Sequence, residues 1–226
     1  MLNSTGLQKM DILLVDDHPV VRIGFSTLLN QLGDKLTFHE AEDAATALEL
    51  AGQHKPAVAL VDLSLAGVLE LNLIKELRTV APEMGILVVS MHDERLYAER
   101  ALRAGARGYV MKHHAAKFIV QAVQTVHAGR VWLSEDMRRI LIERIADVPG
   151  TGQWEKLALL SDRELEVFRL IGLGLKKSDI AQRLNLSPNT IETYRVNLKS
   201  KLGITSGAEL HRLAFLHFQN ENPLAK

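Results

Sequence analysis

Cysteine is absent from the 226 residues. That excludes a disulfide framework, a thiolate metal site and a cysteine nucleophile. Nowhere do roughly eighteen apolar residues run together, the length a membrane-spanning helix needs, and the N-terminus carries no apolar stretch of signal-peptide length. The expectation is a cytoplasmic chain with no membrane association. A net charge is missing too: 27 Lys+Arg balance 27 Asp+Glu, which alone names no partner. No internal repeat or low-complexity segment is present. Asn3-Ser4-Thr5 and Asn185-Leu186-Ser187 fit the glycosylation pattern but mean nothing without secretion.

What the chain does have is 47% apolar residues and enough length for two modest domains. The charge is unevenly placed. Residues 1–150 carry 16 Lys+Arg against 19 Asp+Glu, and residues 151–226 carry 11 against 8. Within 174–201 the count is 6 against 2. A basic concentration in one small segment fits nucleic-acid binding; a solvated helix face would also produce it.

Up to about residue 128 short apolar runs alternate with helical patterns. Strands are expected at 12–15, 37–41, 58–62, 86–90 and 108–111. Helices are expected at 19–32, 43–53, 68–79, 93–104 and 115–128. In the first of these Val21, Phe25, Leu28, Leu29 and Leu32 share one face. Pro56 and Pro82 precede strands and punctuate the pattern. This alternation predicts an α/β domain, a doubly wound five-stranded parallel sheet. Its ligand crevice lies at the carboxyl ends of the strands. Asp16 and Asp17 follow the first run, Asp62 the third, Ser90 the fourth and Lys112 the fifth, so all five converge there. Three neighbouring carboxylates repel one another unless a cation sits among them. All-oxygen ligation with few protein ligands suits Mg²⁺.

Residues 135–146 read as a helix with Ile140, Leu141 and Ile145 in a stripe, and 147–153 as a Pro/Gly-rich linker. Beyond 160 the pattern is helical, at 162–173, 178–184, 188–202 and 206–218. Ser187 suits an N-cap and Pro188 the first helical position. Two short helices joined across Asn185-Leu186-Ser187 match a helix-turn-helix, whose second helix enters the major groove. Ile191, Leu198 and Leu202 form its core stripe. That leaves Glu192, Thr193, Arg195, Val196, Asn197 and Lys199 for the groove and its phosphates. Arg195 matches guanine, Asn197 adenine or phosphate, and Lys199 and Lys201 phosphates. On spacing alone, an ordinary bundle with a cationic face fits equally well. Gly172-Leu173-Gly174 follows a helix rather than a strand and is no nucleotide loop.

Val15-Asp16-Asp17-His18-Pro19, Asp62, Ser90 and Lys112, with Ala101 to Tyr109, resemble a two-component receiver domain over about 10–128. Leu160 to Glu164, Ile180-Ala181 and Lys201-Leu202-Gly203 resemble a LuxR-type helix-turn-helix over about 157–220, with a helical segment and linker at 129–156. The whole chain resembles a response regulator of the NarL/FixJ class. That resemblance implies a DNA-binding transcription regulator rather than an enzyme. Asp62 would accept a phosphoryl group from a sensor histidine kinase. Asp16, Asp17, Asp62 and the Ser64 backbone carbonyl would hold Mg²⁺. Ser90, Tyr109 and Lys112 would respond to the phosphoryl group. Lys177, Asn189, Thr190, Glu192, Thr193, Arg195, Val196, Asn197, Lys199 and Lys201 would meet double-stranded DNA, with a homodimer forming on activation.

Leu65-Ala66-Gly67-Val68-Leu69-Glu70 departs from the class, which usually carries Met-Pro-Gly and then Asp-Gly here. Ser178 stands where a lysine is frequent, which weakens one expected phosphate contact, and Glu192 stands where lysine is common, so the sequence preference should differ from other members. Three further readings remain open: phosphate-independent control, a Mg²⁺-dependent phosphoester hydrolase, and a protein-binding adaptor. His113-His114 reads as a solvated loop.

Overall fold

In chain order the strands are β1 (Met10–Val15), β2 (Leu36–Ala41), β3 (Val58–Val61), β4 (Ser64–Leu65), β5 (Val68–Leu69), β6 (Gly85–Ser90) and β7 (Gly108–Met111). Five of them form one parallel sheet in the order β2-β1-β3-β6-β7. The interior strands β3 and β6 are buried at every residue. Helices cover both faces of such a sheet, so its central strands read as unbroken apolar runs. The edge strand β2 is half-exposed instead. These coordinates come from a computed structural model describing residues 10–33, 35–66, 68, 69, 71–146 and 153–218. The chain divides into two compact units, Met1–Asp147 and Val148–Lys226.

The helices of the first unit are α1 (Pro19–Leu29), α2 (Ala44–His54), α3 (Leu71–Val80), α4 (Glu94–Ala104), α5 (Ala115–His127) and α6 (Glu135–Ile145). Their starts follow local chemistry. Pro19 opens α1, where its missing N–H costs nothing. The Asp43 and Asp93 carboxylates cap α2 and α4 by accepting from Thr46 N at 2.8 Å and Arg95 N at 2.9 Å. Gly105 ends α4 at φ +115°. The core holds Ile12, Leu14, Leu60, Leu87, Ile119 and Val123, all essentially fully buried.

Two stretches differ from the sequence expectation. The helix expected from residue 68 begins at Leu71, because Ser64–Leu65 and Val68–Leu69 pair as an antiparallel hairpin. Ala66 turns it at φ +48°, in the left-handed region, and its N–H donates to Asp17 Oδ2 at 3.0 Å. The second difference concerns α6, where Ile145 is 86% exposed while Ile140 and Leu141 are half-buried. The helix makes its contact through Met137, fully buried, and through its charged residues instead. Arg144 Nη1 donates to Glu99 Oε2 at 2.5 Å, and Ser134 Oγ donates to Glu94 Oε1 at 2.6 Å, tying α6 to α4.

The second unit holds α7 (Gln153–Ala158), α8 (Asp162–Gly172), α9 (Lys177–Arg183), α10 (Pro188–Leu202) and α11 (Gly207–Phe218). The expected linker lies largely outside the described residues, and Gln153, its last member, opens α7. Ser161 and Glu164 form a reciprocal capping box at the start of α8. Ile191, Leu198 and Leu202 of α10 are buried, and α10 packs on α8, α9 and α11. At Gly172 an added Cβ would meet the Ala214 carbonyl oxygen at 2.5 Å, so α8 and α11 approach too closely for a side chain. No helix among the described residues is long and apolar enough to cross a membrane.

Candidate functional site

Strand order decides where the acidic residues go. β1 leads to β2 on one side and lies beside β3 on the other, so the chain changes direction between β1 and β3. Asp16 and Asp17 leave the carboxyl end of β1, and Asp62 leaves that of β3. A switch point of this kind opens a crevice at the strand ends. Lys112, just past β7, reaches into the same place. Its Nζ lies 2.6 Å from Asp16 Oδ2 and 2.8 Å from Asp62 Oδ2. The carboxylates of Asp16 and Asp62 are only 2% and 5% exposed. Two buried anions so close would repel strongly without the ammonium between them. Burial pulls the Lys112 ammonium toward the neutral form; the facing charges of Asp62 and Asp16 outweigh it and hold its pKa above the ordinary 10.5.

Asp62 Oδ1 is buried and has no hydrogen-bond partner among the described residues. A buried carboxylate oxygen without a partner is costly. Asp62 therefore presents one oxygen committed to Lys112 and one uncommitted. Asp16 also joins Asp17 and His18, the three bringing one donor atom each within 4.8 Å of one another. His18 Nδ1 is 2.7 Å from Asp17 Oδ1 and 3.3 Å from Asp16 Oδ1. Asp16 Oδ1 also accepts from the His18 backbone N–H at 2.9 Å.

The structure thus brings Asp16, Asp17, Asp62 and Lys112 to one crevice, with Ser64 two residues beyond Asp62 on β4. Ser90 closes β6 between β3 and β7. It is fully buried, and its Oγ accepts from His92 N at 3.3 Å. Tyr109 is fully buried on β7, its hydroxyl donating to the His92 carbonyl at 2.8 Å. The segment leaving Ser90 is therefore tied to the neighbouring strand. Tyr109→Phe leaves that carbonyl one donor short. It should cost about 1 kcal/mol, read as a lower denaturant midpoint at unchanged slope.

Two contributors escaped the sequence reading. His18 carried a signal, since it directly follows the aspartates. Arg22 carried none. Its Nη1 donates to the Asp16 carbonyl at 2.6 Å and its Nε to Glu40 Oε2 at 2.7 Å, fixing the β1–α1 loop from the first turns of α1. His113 and His114 are exposed on a 3₁₀ turn beside Lys112.

In the second unit α9 and α10 are joined through Asn185, at φ +53° in the left-handed region, and Leu186 N, which donates to the Ala181 carbonyl at 2.8 Å. Ser187 Oγ caps α10 by accepting from Thr190 N at 3.0 Å. Asn189, Glu192, Thr193, Val196 and Asn197 are exposed along α10, while Thr190, Arg195 and Lys199 are half-buried. Lys177 Nζ and Arg195 Nε lie 3.7 Å and 3.9 Å from Glu192 Oε2, so part of the expected cationic face is answered by one carboxylate.

Lys201 points elsewhere. Its Nζ sits 2.7 Å from Glu164 Oε2 and 3.4 Å from the Leu159 carbonyl, an internal tie rather than an open phosphate contact. Burial pushes the Glu164 carboxyl up, but Lys201 and the Ser161 N–H more than reverse this and hold it below the ordinary 4.5. A lowered folded-state pKa gives stability that is present above the unfolded value and lost as pH falls through the folded one. Glu164→Gln keeps the capping acceptor and drops the charge. Its unfolding temperature should fall below the parent's at pH 7, and the two should converge in acid.

An α/β unit with an acid-and-lysine crevice at its switch point, followed by a helix-turn-helix unit, defines a two-part regulator. Residues 12–124 match the response regulator receiver domain, and residues 158–214 match the luxR family of bacterial regulatory proteins. The chain belongs to the response regulators and is a transcriptional response regulator of the NarL/FixJ class. It is 34% identical over 210 residues to the oxygen regulatory protein NreC of Staphylococcus carnosus, covering 89% of this chain and 94% of that one. It is 35% identical over 208 residues to the transcriptional activator protein ExaE of Pseudomonas putida, covering 91% and 95%. A solved structure of RcsB from Salmonella enterica serovar Typhimurium, bound to promoter rprA in the presence of phosphomimetic BeF3-, superimposes with a TM-score of 0.67. It shares 26% identity and covers 91% of this chain and 98% of that one.

Proposed function

We propose that this response regulator binds double-stranded DNA through α10 and is controlled by phosphorylation of Asp62 by a sensor histidine kinase. The observation that carries the reading is the asymmetry of the Asp62 carboxylate, one oxygen on Lys112 and one buried without a partner. The uncommitted Oδ1 is the nucleophile. It forms a P–O bond as the donor's P–N bond breaks, and the donor imidazole leaves with the electron pair. The protein's share is positioning and charge neutralisation. Lys112 turns from the carboxylate to the phosphoryl oxygens, and the Ser90 hydroxyl donates to one of them. Tyr109 and the His92 segment respond to that movement.

Receiver domains bind Mg²⁺ at an acidic pocket of this kind. The residues here fit the ion, since Asp16 and Asp17 bring carboxylate oxygens within 4.8 Å of one another and Lys112 ties Asp16 to the buried Asp62. Asp16, Asp17, Asp62 and the Ser64 backbone carbonyl would hold it. Bound there, Mg²⁺ supplies positive charge against the phosphoryl oxygens. Asp16 and Asp17 orient the loop, and the Ala66 N–H keeps Asp17 aimed at the crevice.

Toward DNA, Asn189 and Thr190 lie at the N-terminal turn of α10, where backbone N–H groups favour phosphate. Lys177 and Lys199 add phosphate contacts, while Glu192, Thr193, Arg195, Val196 and Asn197 face the groove. Lys201 lies at the margin of this set. A homodimer formed on activation would place two recognition helices about one duplex turn apart.

The test incubates the full chain with a small-molecule phosphodonor and Mg²⁺, then captures genomic duplex fragments. Phosphodonor-dependent enrichment, weakening steeply with salt as counterions are released, is the expected result. Equal enrichment without phosphodonor would favour control independent of phosphate. Phosphoester turnover well beyond one equivalent would favour a hydrolase.

A further inference from the structure

We propose that Glu192 reads a base, accepting a hydrogen bond from cytosine N4 in the major groove, and that Val196 packs on a thymine methyl at the neighbouring step. This rests on the DNA-binding reading above. Glu192 is the one acidic residue between Pro188 and Leu202. It stands on the exposed side of α10, one turn before Val196; the Glu192 side chain is 51% exposed and Val196 as a residue 53%. Ile191, Leu198 and Leu202 bind the opposite side of the helix into the core. Glu192, Thr193 and Val196 therefore form one outward patch of a carboxylate and two methyl-bearing side chains.

A carboxylate on the DNA-facing side of a recognition helix is repelled by the phosphates unless something offsets its charge and something donates to it. The offset is present: Lys177 from α9 and Arg195 from α10 approach the same Oε2 at 3.7 Å and 3.9 Å. Exposed pairs at such distances add little stability, so bracing α9 against α10 is a weak reason for a carboxylate here. They do cancel the charge and leave Oε1 open. In the major groove guanine offers two acceptors, thymine one acceptor and a methyl, and adenine an acceptor beside its amino group. Each sets an acceptor against the carboxylate. Cytosine offers a donor alone, so Glu192 selects it by attraction and rejects the others by repulsion. The bare Val196 isopropyl has no polar group to offer and gains by covering a thymine methyl.

The test is selection from a randomised duplex library by the full chain with a small phosphodonor and Mg²⁺. The parent is compared with Glu192→Gln, Glu192→Ala and Val196→Ala. The parent should fix cytosine at one position of each half-site and thymine beside it. Glu192→Gln should move the first position to adenine, which a carboxamide matches. Glu192→Ala should leave that position unselected, losing roughly 5- to 150-fold of discrimination. Val196→Ala should relax the thymine alone. If both Glu192 variants keep the parent's base preference and change affinity by one common factor, the inference is overturned. If the parent selects no sequence at all, the DNA-binding reading falls and takes this inference with it.

Discussion

Asp62→Asn should take no label from a small phosphodonor, while the parent takes one equivalent in the presence of Mg²⁺. The substitution changes almost nothing but the nucleophile. An asparagine fills the same space on the carboxyl end of β3, keeps an oxygen that Lys112 can reach, and removes one of two buried anions around that ammonium. Asp16 stays paired with Lys112, so no buried charge is orphaned. The stability of the variant should stay within about 1 kcal/mol of the parent, and any lost labelling then reports chemistry rather than unfolding. The effect on DNA should be equally one-sided. A coupling of 1–3 kcal/mol between the crevice and the output unit corresponds to roughly a 5- to 150-fold gain in affinity on phosphorylation. In Asp62→Asn that gain should vanish and the basal affinity should remain. Retained acid-stable label would place the acceptor elsewhere. A retained gain without label would mean that the phosphodonor raises affinity without phosphorylating the chain, and the link between Asp62 and DNA binding would fall.

The parallel sheet was legible because each interior strand is a short apolar run whose last residue is followed by a polar one. The β1–β3 switch point then dictated where Asp16, Asp17 and Asp62 must gather. Periodicity also placed α10, since Ser187, Pro188 and the spacing of Ile191, Leu198 and Leu202 all agree. What stayed hidden was pairing over distance. Nothing in the sequence says that Arg22 turns back to hold the Asp16 carbonyl, or that Lys201 is drawn to Glu164 across 37 residues. Both are long, flexible side chains whose partners are set by packing rather than spacing. The β4–β5 hairpin was missed for another reason. Val68 and Leu69 continue smoothly into the apolar pattern of α3, and only the Ala66 bond to Asp17, together with the pairing across the turn, takes them out of the helix. That small turn joins the loop after Asp62 to Asp17, so the stretch that departs most from the class is also built into the crevice.

Lys112→Met should produce the largest loss of stability available at this site, and Mg²⁺ should restore part of it. Methionine keeps the apolar stem that lines the end of β7, so the loss is one of charge rather than of packing. Removing one partner from a buried ionic cluster costs about 3–5 kcal/mol, because the remaining charges are left in place. Here the remainder is two carboxylates, both nearly inaccessible to water, so the upper part of that range applies. At about 2–4 °C per kcal/mol for a chain of this size, a loss of about 4–5 kcal/mol should drop the unfolding temperature by roughly 8–20 °C. The raised pKa of Lys112 gives the sign of the pH dependence in the parent. Its contribution is fully present below the unfolded value of 10.5 and is lost only as pH rises through the still higher folded one. The parent should therefore show no loss from this group between pH 6 and 9. In Lys112→Met the two buried carboxylates face one another with no ammonium between them, so lowering their combined charge should return stability. Mg²⁺ should do the same at neutral pH, because an ion bound only by the folded state at a hundredfold excess over its dissociation constant adds about 2.7 kcal/mol. Both proteins should gain from the ion, the variant more, since in the parent Lys112 already neutralises part of the charge. Equal Mg²⁺ stabilisation of the two would mean that the ammonium and the ion do not share these carboxylates, and the crevice would lose its reading as a cation site.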